Sequence, residues 1–166
     1  RNMAAFGIPA FMFLMAVMVN VIYRIDPKRE NISRSRELKE ITRWFVVLLA
    51  VMVQFVIVLS GIGMDINVGS MVSIPIALMF VAAGNYLPKW RQNYTMGIKL
   101  PWTLADEDNW NRTHRMAGYV WTAGGILMLI MGFFHLASLF FLVFMAMVLI
   151  PSVYSYLIYR KKLKGI

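Results

Sequence analysis

Five apolar runs constrain this chain more than any other feature. Met3–Tyr23, Trp44–Met64, Met71–Leu87, Met116–Phe134 and Leu139–Tyr159 are 17 to 21 residues long, and none carries Asp, Glu, Lys or Arg in its middle. At about 1.5 Å per helical residue, such runs approach or match the roughly 30 Å hydrocarbon core of a bilayer. With 60% hydrophobic and only 15% charged residues in 166, the apolar excess is too large for a soluble core of this size. Within lipid, backbone groups must bond inside their own segment, which favours helices. The expectation is an all-α membrane protein: a bundle of five transmembrane helices forming a single membrane domain over 1–166, with hydrophilic loops at 24–43 and 88–115.

The charges fix an expected orientation. Arg24–Arg43 holds seven bases and four acids. Pro27 ends the first run, and Ser33 and Ser35 ahead of Arg36–Arg43 suit the start of a surface helix leading into the second. With five spans, the 24–43 loop, the 88–115 loop and the tail Arg160–Lys164 fall on one side and hold sixteen of the seventeen Lys and Arg residues. Basic loops stay cytoplasmic, so the N-terminus is expected outside and the C-terminus in the cytoplasm. The net charge of +9 then reflects topology and attraction to anionic membrane lipid, and no direct nucleic-acid binding is expected. Tyr23, Trp44, Trp90, Tyr154, Tyr156 and Tyr159 read as an interfacial aromatic belt. An outside N-terminus with Arg1 and Asn2 leading the chain suggests an earlier span and an extracytoplasmic segment before residue 1.

Chemistry that a catalyst would need is sparse. There is no Cys, which excludes disulfides and thiolate metal sites. His114 and His135 fall at opposite ends of the fourth run, about 30 Å apart on a helix, and cannot share an ion. No nucleophile elbow is present, and no ionisable group lies mid-span to mark a transport path. No enzyme, metal or cofactor is expected. Asn20, Gln54, Asn85 and Thr122 are polar exceptions of the kind that join helices. Small residues in the third run (Ala77, Ala82, Ala83, Gly84) and fourth run (Ala117, Gly118, Thr122, Gly124, Gly125, Gly132) suit close helix contact.

The long polar loop between the third and fourth runs is the candidate working surface, because loops of this length are commonly functional or disordered. Trp90, Tyr94, Trp102 and Trp110 argue against disorder. Asn85, Pro88, Asn93 and Gly97 supply turn chemistry, and Pro101 followed by Thr103 and Asp106 reads as a helix start capped by Thr103. From Leu104 the helix is expected to run unbroken into the fourth span. Trp110, His114, Gly118, Trp121 and Gly125 form one stripe on it, with Arg112 and Arg115 at its sides, where their stems can snorkel to headgroups. Either this is an amphipathic helix start with an interfacial Trp, or Trp102, Trp110 and His114 line a cytoplasm-facing pocket.

These residues also carry a resemblance. Gly84-Asn85-Tyr86-Leu87-Pro88-Lys89, Asn93-Tyr94, Gly97-Ile98-Lys99, Pro101-Trp102-Thr103-Leu104, Trp110, Thr113-His114-Arg115 and Gly118 resemble the SdpI family of bacterial membrane proteins, with Lys99 where Arg is expected in many relatives. The resemblance implies a bacterial cytoplasmic membrane protein conferring immunity against a secreted toxic peptide met on the outer side. It also implies a signalling role, with a transcriptional repressor drawn to the membrane. It assigns the motif positions, Asn85, Pro88, Lys89, Asn93, Tyr94, Gly97, Lys99, Pro101, Trp102, Thr103, Trp110, Thr113, His114, Arg115 and Gly118, to a functional or partner-binding loop. Relatives often carry a further helix and an extracytoplasmic region ahead of the spans seen here. Alternatives from other classes are an accessory subunit of a larger membrane complex and a small peptide exporter.

Overall fold

The computed structural model describes residues 7–28, 30–31, 36–65, 68–134 and 136–165. The described residues form helices and connecting turns, with no strand. The helices are α1 (Ile8–Ile25), α2 (Arg36–Gly61), α3 (Val68–Tyr86), α4 (Pro101–Ala105), α5 (Glu107–Phe133) and α6 (Ala137–Leu163), with a 3₁₀ turn at Leu87–Lys89 after α3. Three stretches, Met71–Lys89, Glu107–Phe133 and Leu139–Leu163, are long and apolar enough to cross a membrane. The apolar helices Pro9–Ile25 and Val47–Gly61 are shorter, in the 10–17 residue class. The start of the first expected span, residues 3–6, lies outside the described residues, as do Ser33, Ser35 and His135.

Local chemistry sets the helix ends. Pro9 sits in the first turn of α1, where a missing N–H costs nothing. The helix stops at Asp26, whose ψ of 126° is the extended geometry that a following proline imposes. The charged segment from Arg36 runs directly into α2. Gly63 adopts φ +82° in the turn after α2. The expected start of α5 needs correction: Thr103 does not cap a continuous helix. Pro101 begins the five-residue α4, and the chain then breaks at Asp106 (φ −136°, ψ 112°), whose carboxylate accepts the Asp108 N–H and caps α5. A side-chain acceptor satisfying an otherwise orphaned N–H is what an Asp at this position offers, and Glu107 and Asp108 in the first turn suit the helix dipole.

The packed centre lies along α3, α5 and α6. Backbones of α3 and α5 touch: a Cβ at Gly84 would lie 2.6 Å from the Thr122 nitrogen, and one at Gly125 2.8 Å from that of Val81. Ala77, Phe80, Met128 and Met147 fill the middle, and Phe80 meets Trp121 edge to face at 5.3 Å. Pro151 lies inside α6 and can supply no N–H to the carbonyl four residues back, that of Met147. The Trp121 indole donates to that carbonyl at 3.0 Å. Large side chains such as Phe133, Phe141 and Leu142 stay outward-facing and exposed, as lipid contact requires.

Candidate functional site

The loop between α3 and α5 is held in a fixed shape by its own polar groups. Asn93 is buried, and its side-chain oxygen accepts the N–H groups of Thr95 (3.0 Å) and Met96 (2.7 Å), an Asx turn. Gly97 follows at φ +106°, a conformation that costs glycine little. The turn presses Gly97 against His114 and Trp110: a Cβ there would lie 2.9 Å from Trp110 Cη2 and closer still to His114 Nε2. Ile98 N–H donates to His114 Nε2 at 3.0 Å. That nitrogen is therefore the acceptor, and Nδ1 carries the hydrogen, donated to the Trp110 carbonyl at 2.9 Å. The imidazole is neutral, fully engaged, and stacked on the Trp110 ring with centroids 4.0 Å apart. Trp110 in turn donates Nε1 to the Trp90 carbonyl at 2.8 Å. Buried Thr103 accepts the Leu100 N–H at 2.9 Å and points its hydroxyl at the carbonyls of Ile98 and Leu100. Lys99 turns back onto the carbonyls of Tyr94 and Thr95.

Two further ties reach other helices. At the end of α1, buried Asp26 accepts the Tyr94 N–H (3.0 Å), the Thr95 hydroxyl and the Lys28 N–H (2.7 Å). Tyr23 reaches Met96, and Lys28 and Asn31 bond Gln92. Gln92, itself buried, donates to the Thr103 and Leu104 carbonyls. Toward α6, Trp102 donates to Ser155 Oγ at 2.6 Å and stacks on Tyr159. The Ser155 hydroxyl donates to buried Asn109, which also accepts from Thr113 and donates to the Ser155 carbonyl. Where the start of α5 meets the last turn of α6, Lys162 bridges Asp106 (2.6 Å) and Asp108 (2.8 Å). The Lys162 hydrogen bond is the main reason the Asp106 carboxyl is held below its ordinary pKa, with partial burial pushing the other way.

Among the residues singled out from the sequence, Asn93, Gly97, Thr103, Trp110, Thr113 and His114 meet in this assembly. Tyr94, Lys99, Pro101 and Trp102 form its outer wall. Pro88 packs on Gly118, whose Cβ would lie 2.7 Å from the proline ring. Lys89 sits over the Tyr86 ring at 4.9 Å. Asn85 and Arg115 stand apart, exposed on α3 and α5. A pocket lined by Trp102, Trp110 and His114 is not formed. Trp110 and His114 are fully buried, and stacking of one ring on the other leaves no space between them. Tyr23 and Trp90, expected in the interfacial belt, are likewise buried in the loop's own core, Trp90 beside Leu87 and Ala117. Asp26, Gln92, Asn109 and Ser155 were not legible from sequence. Each gains its meaning from a partner distant along the chain; only the Asn109–Thr113 spacing of four carried a local signal. Among the described residues, no group of three or more His, Asp or Glu side chains is placed to hold a metal.

An all-helical chain with three membrane-length helices and a cross-tied polar loop at one end of the bundle is a multi-pass helical membrane protein. The SdpI/YfhL protein family model matches residues 89–155, a stretch that starts at the loop and ends on Ser155. The immunity protein SdpI of Bacillus subtilis (strain 168) is 28% identical over 123 residues, 72% of this chain. The chain is thus similar to the SdpI family, and together with its membrane-length helices this makes it a multi-pass protein of the bacterial membrane. The chain spans 59% of the length of that relative. No solved structure matches.

Proposed function

We propose that this chain is an immunity protein that protects a bacterial membrane against a secreted antimicrobial peptide, and that its loop platform recruits a cytoplasmic transcriptional repressor. In this reading α1 and α2 complete a five-span bundle, one membrane domain with the N-terminus outside and the platform and C-terminus in the cytoplasm. The observation that carries the reading is the coincidence of the family-matched stretch, residues 89–155, with the assembly joining loop, α5 and α6. Support for a shared side comes from hydrogen bonding: the segment after α1 meets the loop at Asp26 and Gln92, and the tail end of α6 meets Asp106. Three basic segments thus gather at one end of the bundle, the end that the distribution of Lys and Arg assigns to the cytoplasm.

The experiment is expression of the chain in bacteria sensitive to a secreted peptide of the relative's kind. Survival is expected to rise while the chain accumulates in the membrane fraction. Membrane-inserted chain without any protection overturns the immunity reading. For recruitment, a repressor should co-purify with membranes from cells carrying the parent chain. The exposed-face variant Tyr94→Ala should reduce it; equal recovery with and without the chain rules recruitment out.

A further inference from the structure

The face of α5 opposite the loop contacts holds a second feature. Arg112 lies three and four residues before Arg115 and Met116, and Tyr119 lies four and three residues after them, so the four share one side of α5. With Tyr154 of α6 they line an open groove of about 290 Å³. Arg112 is only loosely held by Asp108 at 3.8 Å, with both side chains more than half exposed. Arg115 makes no hydrogen bond or ion pair among the described residues, and it is exposed. Beyond the groove, Tyr119, Ile126 and Phe133 recur one residue every seven along the same side of α5, all exposed and apolar in their rings or chains. Charge sits at the water end of a membrane-length helix, and an apolar track runs down from it.

We propose that this groove binds one anionic phospholipid of the leaflet that holds the loop, with its phosphate on Arg112 and Arg115 and an acyl chain along Tyr119, Ile126 and Phe133. An unpaired guanidinium presents a planar fork of donors that suits phosphate oxygens, and Tyr154 adds a hydroxyl on the facing wall. A free phosphate would use the charged end and leave the apolar track without a role. An acidic protein segment would meet the same arginines but has no counterpart to the bilayer-depth track. The proposal rests on α5 and α6 crossing the membrane and is independent of immunity.

The test uses the full chain purified in mild detergent, incubated with phosphatidylglycerol or phosphatidylcholine and measured by native mass spectrometry. One phosphatidylglycerol should be retained in preference to phosphatidylcholine. Arg112→Gln with Arg115→Gln should lower its retention about tenfold, the scale set by losing charge-assisted hydrogen bonds. Arg115→Lys should restore part of it, which shows that the variants fold, and Arg160→Gln in the basic tail should leave it unchanged. Millimolar inorganic phosphate should not displace the lipid. Equal retention by the double variant, an equal loss in Arg160→Gln, or full displacement by phosphate would each overturn the proposal.

Discussion

Gly97 concentrates the demands of the loop in one residue. Its φ of +106° disfavours any side chain, and the space a Cβ would take is held by His114 and Trp110. Gly97→Ala is therefore expected to destabilise the chain by about 1–3 kcal/mol from backbone strain alone, more with the collision. Chemical unfolding in detergent measures this, and an unchanged midpoint would refute the packing described. Trp110→Phe isolates the hydrogen bond to the Trp90 carbonyl while keeping the stack on His114. Leaving that buried acceptor empty is expected to cost about 1–3 kcal/mol, read from the same unfolding curves. Residues such as Asn93, Gly97 and His114 were legible in the sequence because turn chemistry and helical spacing are local. Asp26 and Ser155 were not: nothing near Asp26 in the chain names Tyr94 as its partner, and a serine in an apolar helix looks like any helix-packing polar residue until Trp102 and Asn109 arrive beside it. Reading Trp110 and His114 as pocket walls failed for a related reason, since an aromatic at a membrane boundary serves equally as lining and as filler.

Among the elements, the α3–α5 contact was the most readable, because glycine and alanine on both runs permit only one advantage, close approach. Gly125→Leu is expected to force α3 from α5 and destabilise by at least about 1–3 kcal/mol, the usual cost of overpacking, whereas Gly61→Ala, with open space around it, should be nearly silent; comparison of thermal unfolding for the two variants decides this. The break between α4 and α5 was less readable. Thr103 and Asp106 both have capping side chains, and the sequence does not say that Thr103 will instead close the turn at Leu100. Asp106 thereby joins α5 to the end of α6 through Lys162. Folding lowers its pKa below the ordinary 3.8, so the stabilisation is fully present above that value and is lost as pH falls through the lower, folded pKa. Acid titration of unfolding midpoints should show an extra loss in that window for the parent chain. Asp106→Asn should lack it; the same acid response in both would exclude the clasp.

At the scale of the whole molecule, separate lines converge on one arrangement of segments. Counting bases puts the segment after α1, the long loop and the tail together. Hydrogen bonds from Asp26, Lys28 and Asn31 to the loop, and from Lys162 to Asp106, bring them to the same end without reference to charge. The side of the bilayer that this end faces is part of the proposed function, where the cytoplasmic assignment rests on the Lys and Arg excess. The chain has no cysteine, so a single Lys89→Cys variant reports one exposed position of the platform, and Met64→Cys, in the turn after α2, reports the opposite end. A membrane-impermeant maleimide added to intact bacteria is expected to modify the Met64 variant and spare the Lys89 variant, with the pattern reversed in inverted vesicles. Labelling of Lys89→Cys from outside would turn the platform away from the cytoplasm. Repressor recruitment would then have no physical route, whereas the lipid groove, tied only to the leaflet holding the loop, would keep its phosphate in the outer leaflet.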